Sequence, residues 1–149
     1  MPRIVRAMKP DGPYPLVGAS KKALGVEIGS GRNDDLRGDA KGLVRPETGG
    51  MSVSPTWRDL PGHRIPRRLR VLCPKATGND YFDCWQFGDG PFIDETITEE
   101  LSLRTDHLSH GVVEPSHEMS ASHYQAALAA TRENWSLVPE TVRRNEALA

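Results

Sequence analysis

No run of apolar residues in this chain approaches membrane-spanning length, and its first residues, Met1-Pro2-Arg3-Ile4-Val5-Arg6, hold no apolar signal core. The expectation is a protein that stays in the cytoplasm where it is made, unless a signal-independent route delivers it to a target cell. Cysteine is scarce. Cys73 and Cys84 make neither a paired framework nor a C-x-x-C motif, and free thiols suit a reducing compartment. Charge of one sign is lacking too: 19 basic residues against 20 acidic ones leave a net charge of -1. No global field then draws the protein to nucleic acid or to a membrane surface, so neither is expected as a non-specific partner.

Familiar catalytic signatures are missing. There is no G-x-S-x-G elbow, no G-x-x-x-x-G-K and no G-x-G-x-x-G. His63, His107, His110, His117 and His123, with the two cysteines, show no ligand spacing, so no metal is expected. A phosphate, if one is bound, falls to arginines, whose guanidinium fork matches it: Arg6, Arg64, Arg67 and Arg68 are the candidates.

What the chain does have is turn-forming residues, Gly 14 and Pro 12 in 149. They imply many short elements within one domain, residues 1–149, of modest core. Short strands are expected at residues 3–8, 43–45, 51–54, 68–73, 81–87, 101–104 and 111–114, with Pro115 stopping the last. The aromatic run 81–87 reads as a covered central strand with Cys84 in the core. Residues 20–25 suggest a short helix capped by Ser20 and closed by Gly25. Residues 29–42 read as a loop. Trp57 and Leu60 anchor the long connection 55–66. Tyr124, Ala127, Leu128, Thr131 and Trp135 fall at helical spacing after a Ser120 cap, which predicts a C-terminal helix up to Pro139. A frayed tail follows from about residue 140. The sum is an α+β domain with a mainly antiparallel sheet.

Local charge is less even than the total. Residues 64–70 hold four arginines, and an acidic stretch follows from Asp80 to Glu100. Two solvated surfaces, one facing the other, or a phosphate-binding loop would each produce this pattern.

The most informative segment is Gly49-Gly50-Met51-Ser52-Val53-Ser54-Pro55. In a strand, Ser52 and Ser54 point to one side, and the glycines before them admit a close backbone or ligand. The second is His110-Gly111-Val112-Val113-Glu114-Pro115. It sets a histidine before a strand and a carboxylate at its end, suited to a ribose hydroxyl or a cationic transition state, or else to a plain edge-strand role.

The order of these pieces carries a resemblance. An early strand arginine is followed by G-G-M-S-V-S-P, L-P-G-H-R-x-P, an aromatic strand ending W-x-F, H-G-V-V-E-P and M-S-x-x-x-Y-Q-A-A-L-A-A-T-R. Over residues 40–136 the chain resembles small ADP-ribosyltransferase-like toxins of the type VI secretion effector type and their orphan relatives. The resemblance implies a split antiparallel β-sandwich that clasps NAD as substrate, and a cognate immunity or antitoxin protein as partner, with an unknown macromolecular acceptor. It implies Arg6, Gly50, Ser52, His63 and Arg64 as the cofactor-binding set, and Ser52, His110 and Glu114 as the catalytic set. Two features depart from the family pattern: there is no E-x-E or Q-x-E, and Ile4-Val5 stand where an aromatic precedes the first arginine. NAD hydrolysis, a non-catalytic interaction module of the same fold, and an RNA 2′-phosphotransferase-like NAD enzyme are the alternatives.

Overall fold

The computed structural model describes residues 1–28, 39 and 41–142. In chain order the strands are β1 (Ile4–Met8), β2 (Pro10–Asp11), β3 (Tyr14–Pro15), β4 (Leu43–Val44), β5 (Met51–Val53), β6 (Asp83–Phe87), β7 (Glu95–Thr96), β8 (Leu101–His107), β9 (His110–Pro115), β10 (Met119–Ser120) and β11 (Ser136–Leu137). One α-helix, α1 (Ala121–Ala129), lies among them among the described residues. The strands form a three-stranded sheet β1-β6-β11, a four-stranded sheet β5-β9-β8-β7 and two small ribbons, all with antiparallel pairing. The expected α+β class, mainly antiparallel with a C-terminal helix, is what the chain adopts.

The two larger sheets share a backbone bridge. β1 and β5 are each an end strand, and they touch through the backbone of Val5 and Ser54 (Val5 N–H to Ser54 O 2.7 Å, Ser54 N–H to Val5 O 3.0 Å).

Alternation in β1 and β6 feeds two cores. Ile4, Met8, Trp85 and Phe87 face the four-stranded sheet and α1, with Met51, Leu103, Val113, Tyr124 and Leu128. Val5, Ala7 and Cys84 face the other way, under Trp57, Leu60, Ile65 and Leu69 of the long connection. So β6 is the central, covered strand expected, and Trp57 and Leu60 anchor the connection. Cys84 is fully buried, and that burial pushes its thiol pKa up to about 12.

Three expectations fail. Residues 68–73 are not a strand: Arg67–Leu69 form a 3-10 turn, Cys73 N–H bonds Leu69 O at 2.9 Å, and Val71 stands 94% exposed. Leu69 and Cys73 both reach the core because a helical turn, not alternation, places them on one side. Residues 20–25 are not a helix. The carbonyls of Lys21, Ala23 and Gly25, which a helix would spend on its own N–H groups, accept from the Arg6 guanidinium instead, and Ser20 O is shared between Arg6 and Ala23 N–H. Helix α1 begins as expected, with Ser120 Oγ accepting from His123 N–H at 3.1 Å, but it ends at Ala129. Thr131 and Trp135 still reach the core: Thr131 Oγ1 bonds Leu128 O at 2.7 Å and receives Trp135 Nε1 at 3.0 Å. Most of the expected loop at 29–42, and the tail beyond residue 142, lie outside the described residues.

Helix α1 also fixes β5. The buried Tyr124 hydroxyl accepts from Met51 N–H at 3.2 Å and donates to Val113 O, tying the entry of β5 to β9. Just before it, Gly50 packs against the same strand. A Cβ there would sit 2.5 Å from Val113 O and 3.2 Å from Glu114 Cα, both backbone atoms that cannot swing aside. Gly50→Ala is therefore expected to cost about 3 kcal/mol through strand separation. Urea unfolding checks this, and an unchanged midpoint would count against the close packing of β5 on β9.

Candidate functional site

Beside the Val5–Ser54 bridge lies a cleft of about 430 Å³. Arg6 and Ala7 line it from β1, Ser52 and Val53 from β5, and Ser54 just beyond. His63 and Arg64 reach in from the long connection, and His110 from the start of β9. The turn at Ser20, Lys21 and Lys22 and the following Glu27 complete it.

The period of a strand explains the first group. Ser52 and Ser54 both line the cleft, as alternation requires. Ser52 lies opposite Val112 of β9, and His110 is two residues before Val112, so both point to one side. The Ser52 hydroxyl makes no hydrogen bond among the described residues, while its backbone carbonyl accepts from Arg6. His110 Nδ1 stands 2.8 Å from Asp106 Oδ1, a contact that orients the ring. Arg64 donates to Lys21 O and lies 5.6 Å from the centroid of the Phe82 ring, which fixes the covering loop against the 20–22 turn.

Arg6 occupies the cleft floor but is only 2% exposed. Nε bonds Ala23 O at 3.1 Å, Nη1 bonds Ser52 O at 2.9 Å, and Nη2 reaches Gly25 O at 3.2 Å, Lys21 O at 3.3 Å and Ser20 O at 3.4 Å. Five backbone carbonyls thus hold one guanidinium. Arg6 lines the cleft and at the same time ties the 20–25 turn to β5.

Two of the expected site residues stand away from the cleft lining. Gly50 touches the backbone of β9 and does not line the cleft. Glu114 shares the Ser52 side of β9, but it lies four residues from His110, about 13 Å along the strand. Its carboxylate is 7% exposed as a residue, accepts Arg104 Nε at 2.9 Å and Glu47 N–H at 2.8 Å, and is outside the cleft. The Glu47 turn that it caps has φ 65, a left-handed conformation that a non-glycine residue holds only with support. Glu114 supplies that support. The same ion pair raises the Arg104 pKa above its ordinary value, chiefly through the hydrogen bond to Glu114.

Among the described residues, the carboxylate that lines the cleft is Glu27. Its place is set from the helix: Gln125 Nε2 bonds Val26 O at 2.7 Å, and Gln125 Oε1 accepts Val26 N–H at 3.2 Å. The side-chain amide acts on Val26 as a neighbouring strand would. Sequence reasoning passed over Glu27 because a single glutamate in an irregular segment has no spacing signature. The pairing that positions it, between the neighbouring Val26 and Gln125, spans 99 residues.

Of the other basic residues, Arg68 is committed elsewhere. It bonds Asp83 Oδ1 at 2.7 Å and Asp80 O at 2.8 Å, clamping the basic segment onto the start of β6. Here the basic and acidic runs do face one another. No group of His, Cys, Asp and Glu side chains among the described residues is arranged to hold a metal, and no helix there is long and apolar enough to cross a membrane. No protein-family model and no curated protein matches the chain.

Proposed function

We propose that the cleft between the two sheets binds NAD and that the protein breaks the nicotinamide–ribose bond, passing ADP-ribose to an acceptor or to water. The observation that carries this reading is the convergence of Ser52, His110, His63, Arg64 and Glu27 on one cleft beside the bridge that joins two antiparallel sheets. That arrangement supports assigning the fold to the split β-sandwich of ADP-ribosyltransferases.

The chemistry asks little of a side-chain nucleophile. As the bond from C1′ to the nicotinamide nitrogen breaks, its electron pair leaves with nicotinamide, and positive charge grows on C1′ and the ring oxygen. A carboxylate fixed beside that carbon stabilises the developing charge, and Glu27 is the carboxylate in the cleft. The Ser52 hydroxyl can both donate and accept, which suits it to order a ribose hydroxyl. Arg64 and His63 close over the cleft from the covering loop, where a guanidinium matches a diphosphate. Lys21 and Lys22 add positive charge on the same rim. On this reading the protein is a toxin acting in a cytoplasm, and its cognate immunity or antitoxin protein blocks the cleft.

Calorimetric titration of NAD into the wild type and Ser52→Ala tests the reading. The wild type should bind, and the variant about tenfold more weakly, the worth of one well-placed hydrogen bond. If NAD neither binds nor yields nicotinamide in any acceptor mixture, the enzymatic reading fails. One observation favours a non-catalytic interaction module as the second reading: Arg6 is held by backbone carbonyls. Expressing the chain without its neutralising partner separates the two, since arrest of growth requires the activity.

A further inference from the structure

A second pocket, of about 540 Å³, adjoins the cleft and shares Lys22, His63 and Arg64 with it. Its far walls are Arg67, the 77–80 turn, Tyr81 and Phe82. These walls are laced together by backbone. Thr77 N–H bonds Gly62 O at 2.9 Å, Gly78 N–H bonds Ile65 O at 2.8 Å, and Arg67 N–H bonds Gly78 O at 3.0 Å. A Cβ at Gly78 would lie 2.6 Å from Ile65 O, so the two segments are in full contact. The pocket is therefore formed before any ligand arrives.

Its charge is one-sided. Lys9 Nζ sits 4.4 Å and Lys22 Nζ 5.6 Å from the Tyr81 ring centroid, and Arg64 lies 5.6 Å from that of Phe82. Lys22 above all, with Lys9 and Arg64, holds the Tyr81 phenol below its ordinary pKa against the opposing effect of burial. The Arg67 side chain has no hydrogen bond or ion pair among the described residues. Among the described residues Asp80 is the one carboxylate lining the pocket, and it accepts the Arg68 backbone N–H at 2.8 Å. With cations already over both aromatic rings, stacking of a base is not what the space offers. Among the described residues the lining holds more cationic groups than anionic ones, and several donors around one compact dianion match a phosphate better than a carboxylate.

We propose that this pocket binds a phosphate monoester and thereby holds an acceptor beside the cleft; the second part rests on the NAD reading, while the first stands without it. Arg67 and Lys22 are the principal anion contacts, with Thr77 and Asn79 supplying neutral donors at the rim.

Titration of ribose 5-phosphate and of ribose, followed by calorimetry and by phosphorus NMR, tests this on the intact chain. Ribose 5-phosphate should bind and ribose should not. Arg67→Ala should weaken binding about tenfold, as expected for a hydrogen bond to a charged group. Arg70→Ala, an exposed arginine three residues away and outside both pockets, should leave it unchanged. Equal binding of ribose, or an equal loss in Arg70→Ala, overturns the proposal, because the interaction would then be non-specific. Competition by saturating NAD overturns it as well, because the pocket would then belong to the dinucleotide's own site. If NAD does not bind at all and the Arg67 effect persists, the phosphate site stands and the NAD reading falls.

Discussion

Glu27→Gln is expected to lower the rate of nicotinamide release by about a hundredfold or more while leaving NAD affinity nearly unchanged. The substitution keeps the size and position of the side chain and removes only its charge. That charge matters most when C1′ becomes cationic, so the loss falls on kcat and not on ground-state binding. A preorganised charge or donor aimed at developing charge is typically worth about a hundredfold to a thousandfold. Glu27 is preorganised because Gln125 holds both the N–H and the carbonyl of Val26 next to it. Nicotinamide release followed by chromatography, alongside calorimetry of NAD binding, gives the two numbers separately. A kcat within twofold of the wild type would remove Glu27 from the mechanism. Glu114 is the natural comparison: its carboxylate braces Arg104 and the Glu47 turn outside the cleft, so its loss acts through stability.

Arg6→Met has the largest expected effect on the fold. Methionine fills much of the space but offers no donor to the carbonyls of Ser20, Lys21, Ala23, Gly25 and Ser52. A buried carbonyl left without its partner costs about 1–3 kcal/mol, and water can reach only some of these. A total loss of at least about 3 kcal/mol follows, or a Tm lower by about 10 °C for a domain of this size. Thermal unfolding measures it. Arg6→Lys should recover only part of the loss, because a single ammonium cannot span five acceptors arranged for a planar fork. Full stability in Arg6→Met would show that the 20–25 turn holds its shape without the guanidinium. That outcome would favour Arg6 as a direct ligand contact.

The two effects meet at the same segment. Residues 20–27 have no regular structure of their own. They are held from one side by Arg6 in β1 and from the other by Gln125 in α1, and they carry Lys21, Lys22 and Glu27 into the cleft. A segment shaped by distant side chains leaves no periodic trace in its own sequence. This is why a helix was the natural expectation there, and why Glu27 went unnoticed.

Elsewhere local chemistry was enough. The paired serines after a double glycine face one cleft because a strand alternates. Ser120 caps the helix because its hydroxyl meets the first orphan N–H groups. Cys84 is buried because it lies in an aromatic strand covered on both faces. Failure came where a pattern fits two periods. Leu69 and Cys73 read as alternate strand positions, yet an i, i+4 turn also brings them to one side, and the core beneath Trp57 selected the turn.

Residue spacing alone settled that the chain is an α+β domain of short strands, that Ser52 and Ser54 share a face, and that Ser120 starts the helix, because each depends on neighbours within a few residues. Tertiary structure decided which charged groups meet. Arg6 went to carbonyls up to 46 residues away, Glu114 to Arg104, and Glu27 to the cleft. The physical reason is that a buried charge takes whatever partners the folded backbone brings within hydrogen-bond reach, and those partners are far away in the chain.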